Sequence, residues 1–239
     1  MTAHKTPAAR AREIRRYLKE HGSAEHAAGV QWFFKESVKS HGWYTGDLRK
    51  YAREIHKGSL CDAPGLVEVA EILFDSRVLE EKILAVLLLQ RLVRGFSPDM
   101  FDRFEGWLDK VESWADHDAL TMCVLGPLLV ESPKRVARVV AWAKSPLRWR
   151  RRAAAVTLIR GVGLGCFVRE ATRVAWLLRR DQDDMVQKGL GWLLRVWCKV
   201  RPEEAVPVVL RIRSDTSRLV VRTACETLSP ARRRIVMGK

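Results

Sequence analysis

The chain has 239 residues, 47% of them hydrophobic, enough apolar material for a core of its own, so a single domain over residues 1–239 is expected. Its longest apolar run, residues 83–89, is far short of a membrane span, and its first 20 residues are charged, so a soluble cytoplasmic protein is expected, a monomer with no membrane partner. The formal net charge of +15 is unevenly spread: residues 1–130 hold 18 Lys and Arg against 19 Asp and Glu, whereas residues 131–239 hold 25 against 9, which points to a polyanionic partner, nucleic acid ahead of an acidic membrane surface.

Strand signals are almost absent, with no Asn-Gly or Asp-Gly turn and no sustained alternation of β-branched and polar residues. Helix punctuation recurs instead. After an end of about ten residues expected to be flexible, breaks fall at Gly58, Pro64 and Gly95, and Ser97-Pro98 marks a helix start with Ser as N-cap and Pro at the first helical position. Next comes Glu112-Ser-Trp-Ala-Asp-His-Asp118, where Trp114 and Asp118 stand four apart, so on a helix an aromatic face and a carboxylate lie side by side while Asp116 points elsewhere. An aspartate at the head of a helix also has a capping or dipole-compensating role open to it, and His117, a lone histidine, reads as a surface or supporting residue ahead of a base.

Ser132-Pro133 and Ser145-Pro146 mark two further starts, and Pro98 and Pro133 are 35 residues apart, a period that suits a solenoid of helix pairs. The helix expected over residues 146–160 opens with Arg148, Arg150, Arg151 and Arg152 in its first two turns. Cations there oppose the helix dipole, so phosphate binding is the better account of them. Gly161–Gly165 has no strand before it and reads as a helix–helix loop. Across residues 183–199, Val186, Leu190, Leu193, Leu194 and Trp197 form a core stripe, and the opposite face carries Lys188, Trp192, Arg195 and Lys199. An indole set among cations either packs on a sugar or base whose flanking phosphates they hold, or is covered by a neighbouring helix and screened by their stems. Pro202 and Ser229-Pro230 punctuate the last helices, and residues 235–239 are expected to be flexible. The five cysteines, Cys61, Cys123, Cys166, Cys198 and Cys225, have no metal-ligand spacing and read as reduced core thiols; neither a metal nor a cofactor is expected.

In order and spacing, Trp114-x-x-x-Asp118, Arg152-Ala-Ala and Val186-Gln-Lys-Gly-Leu-Gly-Trp-Leu-Leu-Arg195 resemble the AlkD-type DNA glycosylases, HEAT-like repeat enzymes that release alkylated purines. The resemblance spans residues 70–200. It implies an all-α, right-handed solenoid of HEAT-like repeats that holds duplex DNA carrying alkylated purines on a concave basic surface. It implies further that Trp114 and Trp192 pack on the lesion-bearing deoxyribose, that Asp118 is the catalytic carboxylate and that Arg152 grips backbone phosphate, with Arg148, Arg151, Lys188, Arg195 and Lys199 as the other DNA-binding candidates. The family pattern has Trp-Trp-Asp-Ser-Val-Asp here, whereas this chain has Trp114-Ala-Asp-His-Asp118, so a small residue and a histidine stand inside the motif. Some relatives serve self-resistance to bulky DNA-alkylating antibiotics. A non-catalytic binder of distorted or branched DNA, or a protein scaffold, on the same framework is the alternative.

Overall fold

A computed structural model describes residues 6–58 and 63–238, and the described residues are helical throughout apart from turns, short 3-10 segments and one isolated bridge between Lys39 and Val78. In chain order the helices are α1 (Pro7–Glu20), α2 (Ala24–Val30), α3 (Thr45–Lys57), α4 (Ala63–Phe74), α5 (Leu79–Gln90), α6 (Met100–Glu105), α7 (Trp114–Leu120), α8 (Gly126–Glu131), α9 (Val136–Trp142), α10 (Arg148–Val156), α11 (Ile159–Gly163), α12 (Val168–Leu178), α13 (Asp184–Val200), α14 (Pro202–Ile212), α15 (Arg218–Ala224) and α16 (Pro230–Met237). None is long and apolar enough to cross a membrane. Of the ends expected to be flexible, Pro7–Arg10 open α1 behind the Thr6 cap and Ile235–Met237 close α16; Met1–Lys5, Cys61 and Lys239 lie outside the described residues.

Two compact units emerge, one of residues 1–99 and 110–124, the other of residues 100–109 and 125–239. In the first, α5 packs against α3, α4 and α7. Leu84, Ala85, Val86, Leu88 and Leu89 are fully buried, as suits a helix surrounded by others, and each such large side chain contributes about 1.5–3 kcal/mol. The same helix buries three consecutive charges, Glu80, Glu81 and Lys82, each against a different segment. Glu80 accepts hydrogen bonds from the backbone N–H groups of His41 (2.8 Å), Gly42 (3.1 Å) and Trp43 (3.3 Å) and from the Ser40 hydroxyl. Glu81 takes Arg15 of α1 at 2.7 Å. Lys82 donates to the Lys110 carbonyl and stands 3.8 Å from Asp116. Buried charges are tolerated when so paired, and these three tie α1, the 40–43 loop and the entry to α7 to one helix.

In the second unit α13 is central, packing against α10, α11, α12, α14 and α15. Its expected core stripe is buried: Val186, Leu190, Leu193, Leu194 and Trp197. Asp183 caps it by accepting from the N–H groups of Met185 and Val186. Two glycines set its closest approaches, since a Cβ at Gly189 would meet the Arg152 side chain at 3.0 Å and one at Gly191 would meet Thr223 at 2.9 Å. The loop expected over Gly161–Gly165 is shorter than that: Gly161–Gly163 close α11, and the turn out of the helix is made by Leu164 and Gly165, the latter left-handed at φ 82°. Arginine–carboxylate pairs join residues 30 to 41 positions apart: Arg135 and Arg138 with Asp102, Arg150 with Asp109, Arg151 with Asp181, Arg179 with Asp215, and Arg195 with Glu226. These separations cluster around the 35-residue spacing of Pro98 and Pro133.

The Ser-Pro pairs act less uniformly than their sequence suggests. Only Ser229-Pro230 is a side-chain cap followed by Pro at N1. Pro133 opens a 3-10 turn ahead of α9, and Pro98 and Pro146 lie two residues before α6 and α10. The helix expected over 146–160 is interrupted between Val156 and Ile159. Of the cysteines, Cys198 and Cys225 are core thiols, whereas Cys123 is partly exposed and Cys166 exposed.

Replacing Glu80 by Ala strands three backbone N–H groups and is expected to cost about 3 kcal/mol in urea denaturation, with Glu80→Gln milder because one acceptor remains. Hydrogen bonds from Arg135, Arg150 and Arg179 hold Asp102, Asp109 and Asp215 below the usual carboxylate range. The folded state therefore sheds protons that the unfolded chain keeps. Stability from these pairs is present above about pH 4 and is lost as pH falls through the lowered values. Melting followed from about pH 5 to 2 will fall along that limb, and less steeply in Arg150→Met.

Candidate functional site

Helix α7 begins at a reciprocal capping box. Asp116 at N3 accepts from the Ser113 N–H (2.8 Å) and hydroxyl and from the Glu112 N–H (3.0 Å), while the Ser113 oxygen takes the Asp116 N–H. Asp116 is fully buried, so of the two aspartates in the motif it is the structural one. Lys82 beside it is held below the usual lysine range by burial, opposed chiefly by the Asp116 and Glu112 charges. The head of α7 is thus fixed by a cap and by a buried cation behind that cap.

With its start fixed, α7 sets Trp114 and Asp118 one turn apart on a common face. The Trp114 ring stacks on Phe34 at 5.1 Å and 19°, and its indole N–H donates to the Phe33 carbonyl at 3.4 Å. Phe33 closes a 3-10 turn (Gln31–Phe33) stiffened by the Gln31 side chain, which bonds the backbone of Phe34, Glu36 and Val38. Trp32 and Phe33 in that turn are 90% and 74% exposed. Asp118 is 18% exposed, and its Oδ1 is 2.7 Å from Nδ1 of His117, a side chain with no solvent exposure at all. Past Asp118, Thr121 Oγ1 donates to the His117 carbonyl and the backbone relaxes into a π-helical turn, Thr121–Leu125, a distortion that recurs near functional sites. Among the described residues no cluster of three His, Cys, Asp or Glu could hold a metal ion.

The remaining sequence candidates lie in the second unit. The arginine run at the head of α10 is turned largely inward. Arg150 forks onto Asp109 at 2.7 and 2.8 Å and reaches Glu105, and Arg151 meets Asp181 at 2.6 Å and the Ser145 and Pro146 carbonyls. Arg152, expected to grip phosphate, is 5% exposed and donates to the Met185 carbonyl of α13. Arg148 is the most open of the four, its guanidinium 4.6 Å over the Trp149 ring and 3.9 Å from Asp183. On α13, Lys188 and Lys199 are exposed, Trp192 and Arg195 half-buried. Lys188 lies 3.5 Å from Asp184 and Arg195 2.9 Å from Glu226. Trp114 and Asp118 therefore share one helix face, and Lys188, Trp192, Arg195 and Lys199 share another, in different units. Phe34 and the exposed pair beside it escaped the sequence reading, although the aromatic run Trp32-Phe33-Phe34 was the available signal.

A family model described as DNA alkylation repair enzyme matches residues 14–228. Among solved structures, the fold is similar to a predicted DNA alkylation repair enzyme from Enterococcus faecalis, with a TM-score of 0.77 and 18% identity, covering 87% of this chain and 97% of that one. It is also similar to AlkD2 from Streptococcus mutans, with a TM-score of 0.60 and 18% identity, covering 90% and 98%. A comparison with curated proteins gave no match.

The two aspartates of α7 should separate experimentally. Asp116→Ala removes the acceptor of two buried or half-buried backbone N–H groups and is expected to lower stability by about 2 kcal/mol. Asp118→Asn, at a partly exposed position, should shift the melting temperature far less. Thermal denaturation of both variants reads the difference.

Proposed function

The chain belongs to the DNA alkylation repair enzyme family, and on that premise we propose that it is a monofunctional DNA glycosylase, hydrolysing the bond between deoxyribose and a cationic N3- or N7-alkylated purine in duplex DNA. The observation that carries this reading is the face of α7: a partly exposed carboxylate, Asp118, one turn from an indole whose plane is locked by Phe34.

The chemistry suits so spare a site. An alkylated purine already bears a positive charge, so its C1′–N bond breaks with the electron pair going to the base, which leaves neutral and needs no proton donor. Positive charge moves to the sugar, water adds to C1′, and the water's proton passes to a carboxylate or to solvent. Asp118 is the group to stabilise the developing sugar cation and orient that water, because a fixed negative charge beside the sugar interacts more strongly as the positive charge moves from the base toward C1′. The Trp114 face adds a cation–π contact of about 0.5–2 kcal/mol. Hydrolysis leaves an abasic site, the starting point of base excision repair.

DNA holding falls to the outward cations and the indole of the second unit. Lys188 and Lys199 on α13, with Trp192 and Arg195 between them and Arg148 on α10, are proposed to contact the DNA. Arg151 and Arg152 serve it indirectly, by fixing α10 against the segment that opens α13.

The wild type is expected to release methylpurines from methylated duplex DNA, and Asp118→Asn to release them on the order of a hundredfold more slowly, read by mass spectrometry of the free bases. No release by the wild type, or an unchanged rate in Asp118→Asn, contradicts the assignment. Affinity for undamaged duplex should fall steeply between about 50 and 200 mM salt, and the slope should shrink by about one for each of Lys188→Ala and Lys199→Ala.

A further inference from the structure

A histidine with no solvent exposure whose ring nitrogen lies 2.7 Å from a partly exposed carboxylate is an arrangement that needs a reason. The pair is adjacent in sequence, so helix geometry alone would send the two side chains about 100° apart around the axis. Their meeting means that the Asp118 carboxyl leans toward the buried side of α7 rather than straight out. Its surroundings are unusually firm. Asp116 and Ser113 fix the start of the helix, Lys82 stands behind the cap, and Thr121 holds the His117 carbonyl. The backbone that carries the imidazole is thus fixed, and the ring itself is enclosed with no solvent exposure, so that it can dictate the orientation of the group it bonds.

On the reading of Asp118 as the catalytic carboxylate, we propose that His117 is its positioning residue: the buried imidazole donates its Nδ1 proton to Asp118 Oδ1 and sets the rotation of the carboxyl group. Pinning one oxygen fixes where the other lies. A carboxylate that must face a sugar cation and a water within a few tenths of an ångström gains more from such fixing than from any new contact, because a misplacement of about 1 Å costs on the order of a hundredfold in rate. His117 does not touch the substrate, since it is fully buried. Nor does the step need a proton to travel through it, since the imidazole keeps its Nδ1 proton throughout and the leaving base takes none.

Two substitutions separate a donor from a filler. Asn can present a side-chain N–H close to the Nδ1 position of histidine, whereas Val fills space and donates nothing. In single-turnover release of 7-methylguanine from duplex DNA, His117→Val is expected to be roughly 10- to 100-fold slower than wild type with unchanged affinity for the DNA, and His117→Asn to recover to within about threefold. A rate for His117→Val equal to wild type, or equal losses in both variants when both melt like wild type, overturns the proposal. Nitrogen NMR of the wild-type imidazole gives a second answer that needs no variant: a protonated Nδ1 in a strong hydrogen bond, altered in Asp118→Asn, is expected, and an unprotonated Nδ1 overturns it even if the variants fail to fold. If the wild type releases no methylpurine, the glycosylase reading has failed, and the NMR result still reports whether the hydrogen bond exists.

Discussion

The first unit depends on one buried cation. Lys82, on the most enclosed helix of that unit, donates to the Lys110 carbonyl and lies within 4 Å of Asp116 and Glu112. Burial alone would penalise the ammonium, and the pairing with Asp116 is what makes it tolerable. Asp116 in turn caps α7, and the first turn of α7 sets the angular positions of Trp114, His117 and Asp118. The face proposed to do chemistry is therefore the outward end of a chain of satisfied polar groups that begins in the core. Such a chain is costly to leave half-made, which makes the geometry at Asp118 a property of the whole unit rather than of one surface residue.

Charge plays a different part in the second unit. The excess of arginine there invites a reading as a surface for a polyanion, yet many of its guanidinium groups are spent on carboxylates or carbonyls of neighbouring helices. Arginine suits this use because its planar fork meets a carboxylate with two bonds, as Arg150 does with Asp109 and Arg135 with Asp102. The same residue type thus staples successive helices and leaves a smaller set, Lys188 and Lys199 among it, directed to solvent. The net charge of +15 still favours a polyanion over distance, since paired carboxylates have already been counted in it.

Helix α13 was legible almost to the residue, 183–199 against Asp184–Val200, because a strong apolar stripe, an aspartate cap and a following Pro all mark the same limits. The all-helical fold followed from the same signals repeated. The motif Trp114-x-x-x-Asp118 was legible too, since four-residue spacing on a helix is a local property. What escaped depends on partners far along the chain. The indole of Trp114 is seated by Phe33, 81 residues earlier, and Arg152 turns inward to a carbonyl 33 residues later. The division into two units is of the same kind. Residues 100–109 join the second unit through Asp102, Glu105 and Asp109, whose arginine partners lie beyond residue 134, and no turn or linker announces that allegiance. The inward arginines defeat local reasoning for a further reason: their conflict with the α10 dipole is real, and the carboxylates that outweigh it, Asp109 and Asp181, lie 30 to 41 residues away along the chain.

On the proposed reading, the substrate's own positive charge replaces a general acid, so that one carboxylate suffices. Release of two bases by the wild-type protein from the same duplex position tests it directly, one a cationic 7-methylguanine and the other an uncharged hypoxanthine. The account predicts that the cationic base leaves more than about a hundredfold faster, equivalent to ~2.7 kcal/mol in barrier, beyond the difference seen without protein. Release of the uncharged base at a comparable rate would require a proton donor at the site and would contradict it.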